Sequence, residues 1–257
     1  MQYTKKKGRI GMNIFSKQFK GYQSIIIFDC ETNGLDYRTC QIIEFAAIKI
    51  DLVQDEKNQK EKEMDYFCFL PEGKILPKKI VELTGITDKI LKEEGISQEQ
   101  LAKEIVNLVD ESTIFIAHNA QFDILFLLEL LKGYQVPKFD CLDSLTVYKD
   151  RRAYPHKLAN AITEYGLEDK VVNSHRAIDD VLALLEVVKK MIEERNDLYL
   201  YLNIFGYNPK YGVSGRKIPG IQYFAQKFNQ TMTNENNTLP ALTKKEEAVY
   251  TQMSFDL

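Results

Sequence analysis

The sequence predicts an α/β fold: a mixed five-stranded sheet flanked by helices, followed by an appendage and a flexible tail. Apolar runs of strand character come first, and runs that alternate between strand and helix follow, the order expected of one sheet with helices packed on it. The chain has 257 residues, 44% of them apolar, enough for one substantial core with extensions. Turn and helix-cap residues punctuate the runs.

Residues 23–31 read as the first strand. Thr32-Asn33-Gly34-Leu35-Asp36 then reads as a turn, with Gly34 placed for a positive φ. Residues 41–50 form the second strand, 51–63 a charge-rich exposed connection, and 64–70 the third strand of an antiparallel meander. Pro77 opens a short helix that ends near Gly85. Thr87 can cap another, and Ser97 caps an amphipathic helix running to about residue 109. Residues 113–117 are an apolar strand that leads through His118-Asn119-Ala120 into a Leu-rich helix, 121–132. A short strand at 139–141 follows, then helices over roughly 143–150 and 156–165, and a last strong helix over 176–195.

The charge is uneven. The net charge is −3, so nothing global points to nucleic acid. Residues 1–22, a basic N-terminal extension, nevertheless carry Lys5, Lys6, Lys7, Arg9, Lys17 and Lys20 and no acid. Residues 201–230 carry Lys210, Arg216, Lys217 and Lys227, again with no acid. Basic margins around an acidic centre suit a protein that grips a phosphate backbone and cuts it. Cys30, Cys40, Cys68 and Cys141 form no C-x-x-C pair, and no signal-like or long apolar span is present. These features predict a soluble, cytoplasmic protein with no membrane partner and no zinc site.

Four acids and one histidine carry the chemistry. Asp29 and Glu31 close the first strand, and alternation puts them on one face with Cys30 on the other. Two adjacent carboxylates raise each other's pKa unless a cation sits between them, and Mg²⁺ or Mn²⁺ prefers such oxygen donors. Asp123 follows in His118-Asn119-Ala120-Gln121-Phe122-Asp123, and His175 and Asp180 in His175-Arg176-Ala177-Ile178-Asp179-Asp180. Singly, each acid has an ordinary explanation, such as a carboxylate in the first turn of a helix. Together, in this order, they form the donor set that two-metal phosphodiester hydrolysis needs.

These stretches resemble the DnaQ-like 3′–5′ exonucleases of the DEDDh type, the family that includes the proofreading epsilon subunit of bacterial DNA polymerase III. D-x-E-T-x-G matches residues 29–34, H-N-A-x-F-D matches 118–123 and H-x-A-x-x-D matches 175–180. Ile42-Ile43-Glu44 and Thr84-Gly85-Ile86-Thr87 match further family stretches. The resemblance covers about residues 23–195 and implies a ribonuclease H-like fold. It implies that Asp29, Glu31 and Asp180 hold one of two divalent ions, Mg²⁺ or Mn²⁺. Asp29 bridges to the second ion, Asp123 supports that ion, and His175 is the general base. Asp179 is a bystander, and Ala177 leaves room for the scissile phosphate. Thr32, the backbone near Asn33, Gly34 and Leu35, Glu44, Asn119 and Phe122 are the expected substrate contacts, and His118 buttresses the motif loop. For Phe122, core packing is an equal expectation.

The implied reaction is hydrolysis of single-stranded or frayed DNA 3′ ends to nucleoside 5′-monophosphates, in proofreading or repair. The alternatives are RNA 3′-end trimming and a non-catalytic module bound to a clamp or polymerase. Residues 197–230 lie outside the family core, and their aromatic, basic and Gly-rich composition fits either a single-strand path or a hairpin covering the core. Residues 231–257 read as a flexible tail. Its last six residues, 252–257, resemble the peptide with which bacterial proteins dock on the sliding clamp, with Gln252, Met253, Phe255 and Leu257 as its contacts.

Overall fold

The computed structural model describes residues 14–53 and 61–226. The basic cluster at residues 5–9 and the clamp-like peptide at 252–257 lie outside the described residues.

Strands β1 (Ser24–Thr32), β2 (Ile42–Asp51) and β3 (Glu61–Phe67) form the antiparallel meander, and β4 (Thr113–Ala117) and β5 (Phe139–Asp143) run parallel to β1. The resulting order is β3-β2-β1-β4-β5, the mixed sheet expected. Strand β3 begins earlier than predicted. Its charged start, Glu61-Lys62-Glu63, is exposed on the sheet edge, where charge is tolerated and discourages further pairing.

Strict alternation along β1 divides the core. Ile25 and Ile27 join one apolar layer, whereas Ile26, Phe28 and Cys30 join the other. The first layer is covered by α8 (Ala177–Glu194), whose Val181, Leu184, Val188 and Met191 recur at helical spacing and are fully buried. The second layer is covered by α4 (Gln98–Val106) and α5 (Ala120–Leu130). Short helices α2 (Lys78–Thr84) and α3 (Asp88–Glu94) lie before them, and α6 (Ser144–Arg151) and α7 (Leu158–Glu164) after. Thr87 and Ser97 cap α3 and α4 as expected, and Gly85 ends α2 in a left-handed conformation.

Four features depart from expectation. First, residues 14–22 of the basic N-terminal extension join the core: helix α1 (Ile14–Gln18) packs against α8, and Phe15 on it and Phe19 just beyond it are buried. Second, Gly34 has no positive φ. A Cβ there would meet Cys40 Sγ at 2.5 Å, so close approach, not backbone handedness, is what calls for glycine. Third, β6 (Ile204–Tyr207) and β7 (Gln222–Ala225) run parallel and so are not a hairpin; the 208–221 connection supplies the crossover that parallel strands need. Fourth, the core continues past residue 196. Tyr201 is buried in one layer, and Phe205, Ile218 and Ile221 in the other. Asn203 meets the edge of β5, donating its N–H to the Cys141 carbonyl (2.8 Å) and accepting the Cys141 N–H (2.9 Å).

Among the described residues, no helix is long and apolar enough to cross a membrane. Cys30, Cys68 and Cys141 are buried free thiols.

Candidate active site

The predicted residues converge at the C-terminal ends of the parallel strands, where open α/β sheets commonly bind ligands. Asp29 and Glu31 lie two apart on β1, on the face that α8 covers, with Cys30 buried behind them. Asp180 enters from the first turn of α8, and His175 from the loop before it. One ligand atom each of Glu31, His175 and Asp180 lie within 4.8 Å of one another. Asp29 stands outside that triple but acts electrostatically on both Asp180 and Asp123, which binds it to each half of the site. Asp123 comes from the opposite layer and is buried on α5, where the Cys30 backbone offsets a small part of the burial.

Burial, then the charge of Asp180 and Glu44, pushes Asp29 up to about 8. Burial and then Asp29 push Glu31 up to about 8, against a lowering from Arg176. Asp180 rises to about 6, mainly by burial; the Asn173 amide, 2.7 Å away, and His175 pull it back. Asp123 is driven well above the carboxylate range by burial and Asp29. Such carboxylates cannot all ionise near neutrality without positive charge among them. The donor set is therefore one that a hard divalent cation fits: carboxylate oxygens within 4.8 Å of each other, with one imidazole at the rim.

The loop carrying His175 is held in place from β2. Glu44 lies opposite Glu31 and is fully buried. Its Oε1 accepts from Arg176 Nε (2.9 Å) and its Oε2 from the Ala177 N–H (3.0 Å). Arg176 also lies over the Phe67 ring, 4.8 Å from its centroid. Both Glu44 oxygens are thus engaged within the protein. Ala177 is fully buried under the same loop, where its small size serves packing.

The other motif loop is held from β5. Asn119 adopts φ 75° and makes no side-chain cap. The N–H groups of Asn119 and Ala120 donate instead to Asp143 Oδ1, at 3.0 and 3.1 Å. The same carboxylate caps α6 through Leu145 and Thr146. His118 Nε2 donates to the His156 carbonyl (3.0 Å), and Nδ1 pairs with the Ser144 hydroxyl (3.0 Å), which also reaches the Ala117 carbonyl at 3.1 Å. Burial lowers its pKa, so His118 stays neutral as a buttress.

The expected substrate contacts fall in separate places. Asn119 lines a cleft of about 980 Å³ together with Asp29, His175 and Asp180. Leu35, 85% exposed, and Phe122 line a second cleft of about 620 Å³. Phe122 also packs on Phe126, ring centroids 4.9 Å apart, so it serves both core and surface. Thr32 and Asn33 brace the turn: the Thr32 hydroxyl donates to the Gly34 carbonyl (2.7 Å), and Asn33 Oδ1 accepts the Gln41 N–H (2.8 Å). Asp179 accepts from the Ser174 hydroxyl at 2.6 Å, apart from the triple.

The profile of the exonuclease family matches residues 26–188. DNA polymerase III of the PolC type from Mycoplasma genitalium is 36% identical over 180 residues, which are 66% of this chain and 12% of the relative. The DNA polymerase III subunit epsilon of Aquifex aeolicus is 26% identical over 176 residues, 66% of this chain and 81% of the relative. Escherichia coli exonuclease I, solved in complex with a dA16 oligonucleotide, superposes with a TM-score of 0.57 at 20% identity, over 70% of this chain and 42% of that one. The chain thus spans about 12% of the length of the PolC-type relatives and less than half of exonuclease I. The matched stretch contains both acidic residues of β1, Asp123 on α5, and the His175 loop with the start of α8. On that match the chain belongs to the exonuclease family, in its DnaQ-like branch.

Proposed function

We propose that this chain is a divalent-metal-dependent 3′–5′ exonuclease of the DEDDh type, acting on single-stranded or frayed DNA ends in proofreading or repair. The observation that carries this reading is the convergence of Glu31, His175 and Asp180 within 4.8 Å, beside Asp29, from a strand and a helix far apart in sequence. A module that needed only the fold would have no physical use for clustered carboxylates held far above their usual pKa.

Asp29, Glu31 and Asp180 would hold one Mg²⁺ or Mn²⁺ ion, and Asp29 with Asp123 would hold the second. Two such ions polarise a phosphodiester, make water a better nucleophile at neutral pH and stabilise the leaving oxygen. His175, exposed at the mouth of the cleft, takes the proton of the attacking water. Its left-handed backbone, φ 58°, turns the chain into α8 so that His175 and Asp180 face the same space. The terminal nucleotide then leaves as a 5′-monophosphate. The polymerase III names of the relatives and the oligonucleotide in the exonuclease I structure support DNA as the substrate.

The tail peptide Gln252, Met253, Phe255 and Leu257 would dock on a sliding clamp. Docking there would hold the nuclease beside the clamp and raise its local concentration at DNA ends. Removing residues 252–257 should weaken clamp binding and leave hydrolysis of short oligonucleotides intact; equal clamp affinity would refute the docking role.

The test of the reaction is incubation with 5′-labelled single-stranded DNA and RNA in Mg²⁺, in Mn²⁺ and in chelator. The expected result is a metal-dependent ladder that shortens from the 3′ end, faster on DNA, and lost in Asp29→Ala with the fold retained. Faster shortening of RNA would assign RNA trimming. Absence of cleavage by the folded protein would overturn the reading.

A further inference from the structure

Residue Gln121 occupies the open position of H-N-A-x-F-D, two residues before Asp123. Its side chain is buried, and Nε2 donates to the carbonyls of both Ser214 and Arg216 at 2.8 Å. Its Oε1 accepts from the Tyr223 hydroxyl at 2.7 Å. The β6–β7 connection is therefore clamped to the helix that carries Asp123. Gly215 tightens the seat: with φ 72°, it brings the backbone so near Leu125 that a Cβ would lie 2.7 Å from Cδ1. The clamped connection sends Asn208, Lys210 and Tyr211 into the wall of the cleft that holds Asp29, His175 and Asp180.

The chemistry of that wall is uniform in sign. Beyond Asp29 and Asp180, the charged side chains lining the cleft are Lys149, Lys157 and Lys210. Two large aromatic side chains stand exposed in it, Tyr211 at 75% and Tyr154 at 73%. An Asx turn, in which the Lys210 N–H donates to Asn208 Oδ1 (2.9 Å), presents Lys210 and Tyr211 together, with the ammonium 5.2 Å from the ring centroid. Ammonium groups beside exposed aromatic faces, leading away from a carboxylate floor, form a surface for a single-stranded polynucleotide: phosphates meet the lysines and bases stack on the tyrosines.

We propose that the β6–β7 connection is a strand-binding wall, and that Tyr211 and Lys210 hold the single strand upstream of its 3′ end, by stacking and by phosphate contact respectively. The path is placed by the active-site reading above, but the contacts are testable without catalysis. The full chain is titrated in chelator with fluorescent 16-nucleotide DNA and RNA strands, and anisotropy is followed over a range of salt. Tyr211→Ala is expected to weaken binding of the preferred strand by about fivefold or more, with the salt dependence unchanged. Tyr211→Phe, which keeps the ring, is expected to restore it. Lys210→Gln is expected to lower the magnitude of the slope of log K against log salt by about 0.7, the share of one phosphate on a single strand. Wild-type affinity in Tyr211→Ala would overturn the proposal, as would no strand binding by the wild type. If the wild type shows no metal-dependent cleavage, the exonuclease reading fails alone, and these binding measurements still decide the role of the wall.

Discussion

Glu44 and Arg176 form a partly buried ion pair, 2.8 Å between Oε1 and Nη2, that joins the second strand to the loop before α8. Glu44 is completely enclosed, whereas Arg176 keeps about a third of its side chain exposed. Losing the arginine strands a carboxylate in the core, beside Asp65, which is itself pushed up to about 6 by burial and then by Glu44. Arg176→Ala is expected to cost about 3 kcal/mol, the lower end for a broken buried pair. It should also slow cleavage by freeing His175 and Asp180. Urea unfolding checks the first effect. The double variant Glu44→Gln/Arg176→Ala should recover part of the stability, and a double variant as unstable as the single one would contradict this account.

The site carboxylates should make the metal-free protein lose stability as pH rises. Asp29 and Glu31 sit near 8 in the folded state and at about 4 in the unfolded chain, so the folded protein holds protons that the unfolded chain releases. Their stabilising effect is complete below about pH 4 and is lost as pH climbs through about 8. The Tm in chelator should therefore fall from pH 5 to pH 8, and the rise in Tm on adding Mg²⁺ or Mn²⁺ should grow over the same interval. In Asp29→Asn both trends should flatten. A Tm increment from metal that is the same at both ends would argue against a carboxylate site.

A ring nitrogen of His175 lies within 4.8 Å of carboxylate oxygens of Glu31 and Asp180, yet its proposed role is proton transfer. The two roles separate kinetically. His175→Gln is expected to lower kcat by about a hundredfold or more, the usual contribution of a positioned base. The metal concentration at half-maximal rate should stay where it is. A shift of that concentration with kcat held would make His175 a ligand instead.

Gly34→Ala tests the turn after β1. Its Cβ would press on Cys40 Sγ at 2.5 Å. The expected cost is about 1 kcal/mol, at the low end for an overpacked contact because a single side-chain rotation moves the sulfur. Cys40→Ala in the same chain removes the sulfur and should restore the melting temperature; no recovery would place the strain in the backbone.

Much of the sheet was legible because β1 alternates and its neighbours are near in sequence. Asp29 and Glu31 share a face by period alone, and the resemblance of the three motifs to the family pointed to the rest of the cluster. What escaped depends on contacts between distant segments. Asp143, the acceptor at the start of α5, lies 24 residues beyond Asn119, and nothing local at either residue marks the pairing. The partner of Glu44, Arg176, is 132 positions away, so neither short motif reveals the pair. The parallel pairing of β6 with β7 was missed for a related reason. Glycines and aromatics resemble a hairpin's composition, while strand direction is decided by where the connection anchors, which is Gln121.

Asn203, seated against β5, also bears on how this chain can be divided. A chain cut at residue 196 would keep every motif acid and the histidine, yet it would uncover the Cys141 backbone groups, the apolar seat of Phe205 and the amide of Gln121 together. An open strand edge beside bare apolar surface invites self-association. The smallest piece that can be transplanted into a fusion, or compared fairly with a shorter relative, therefore extends through Gln226, whose amide still bonds the Thr146 carbonyl on α6.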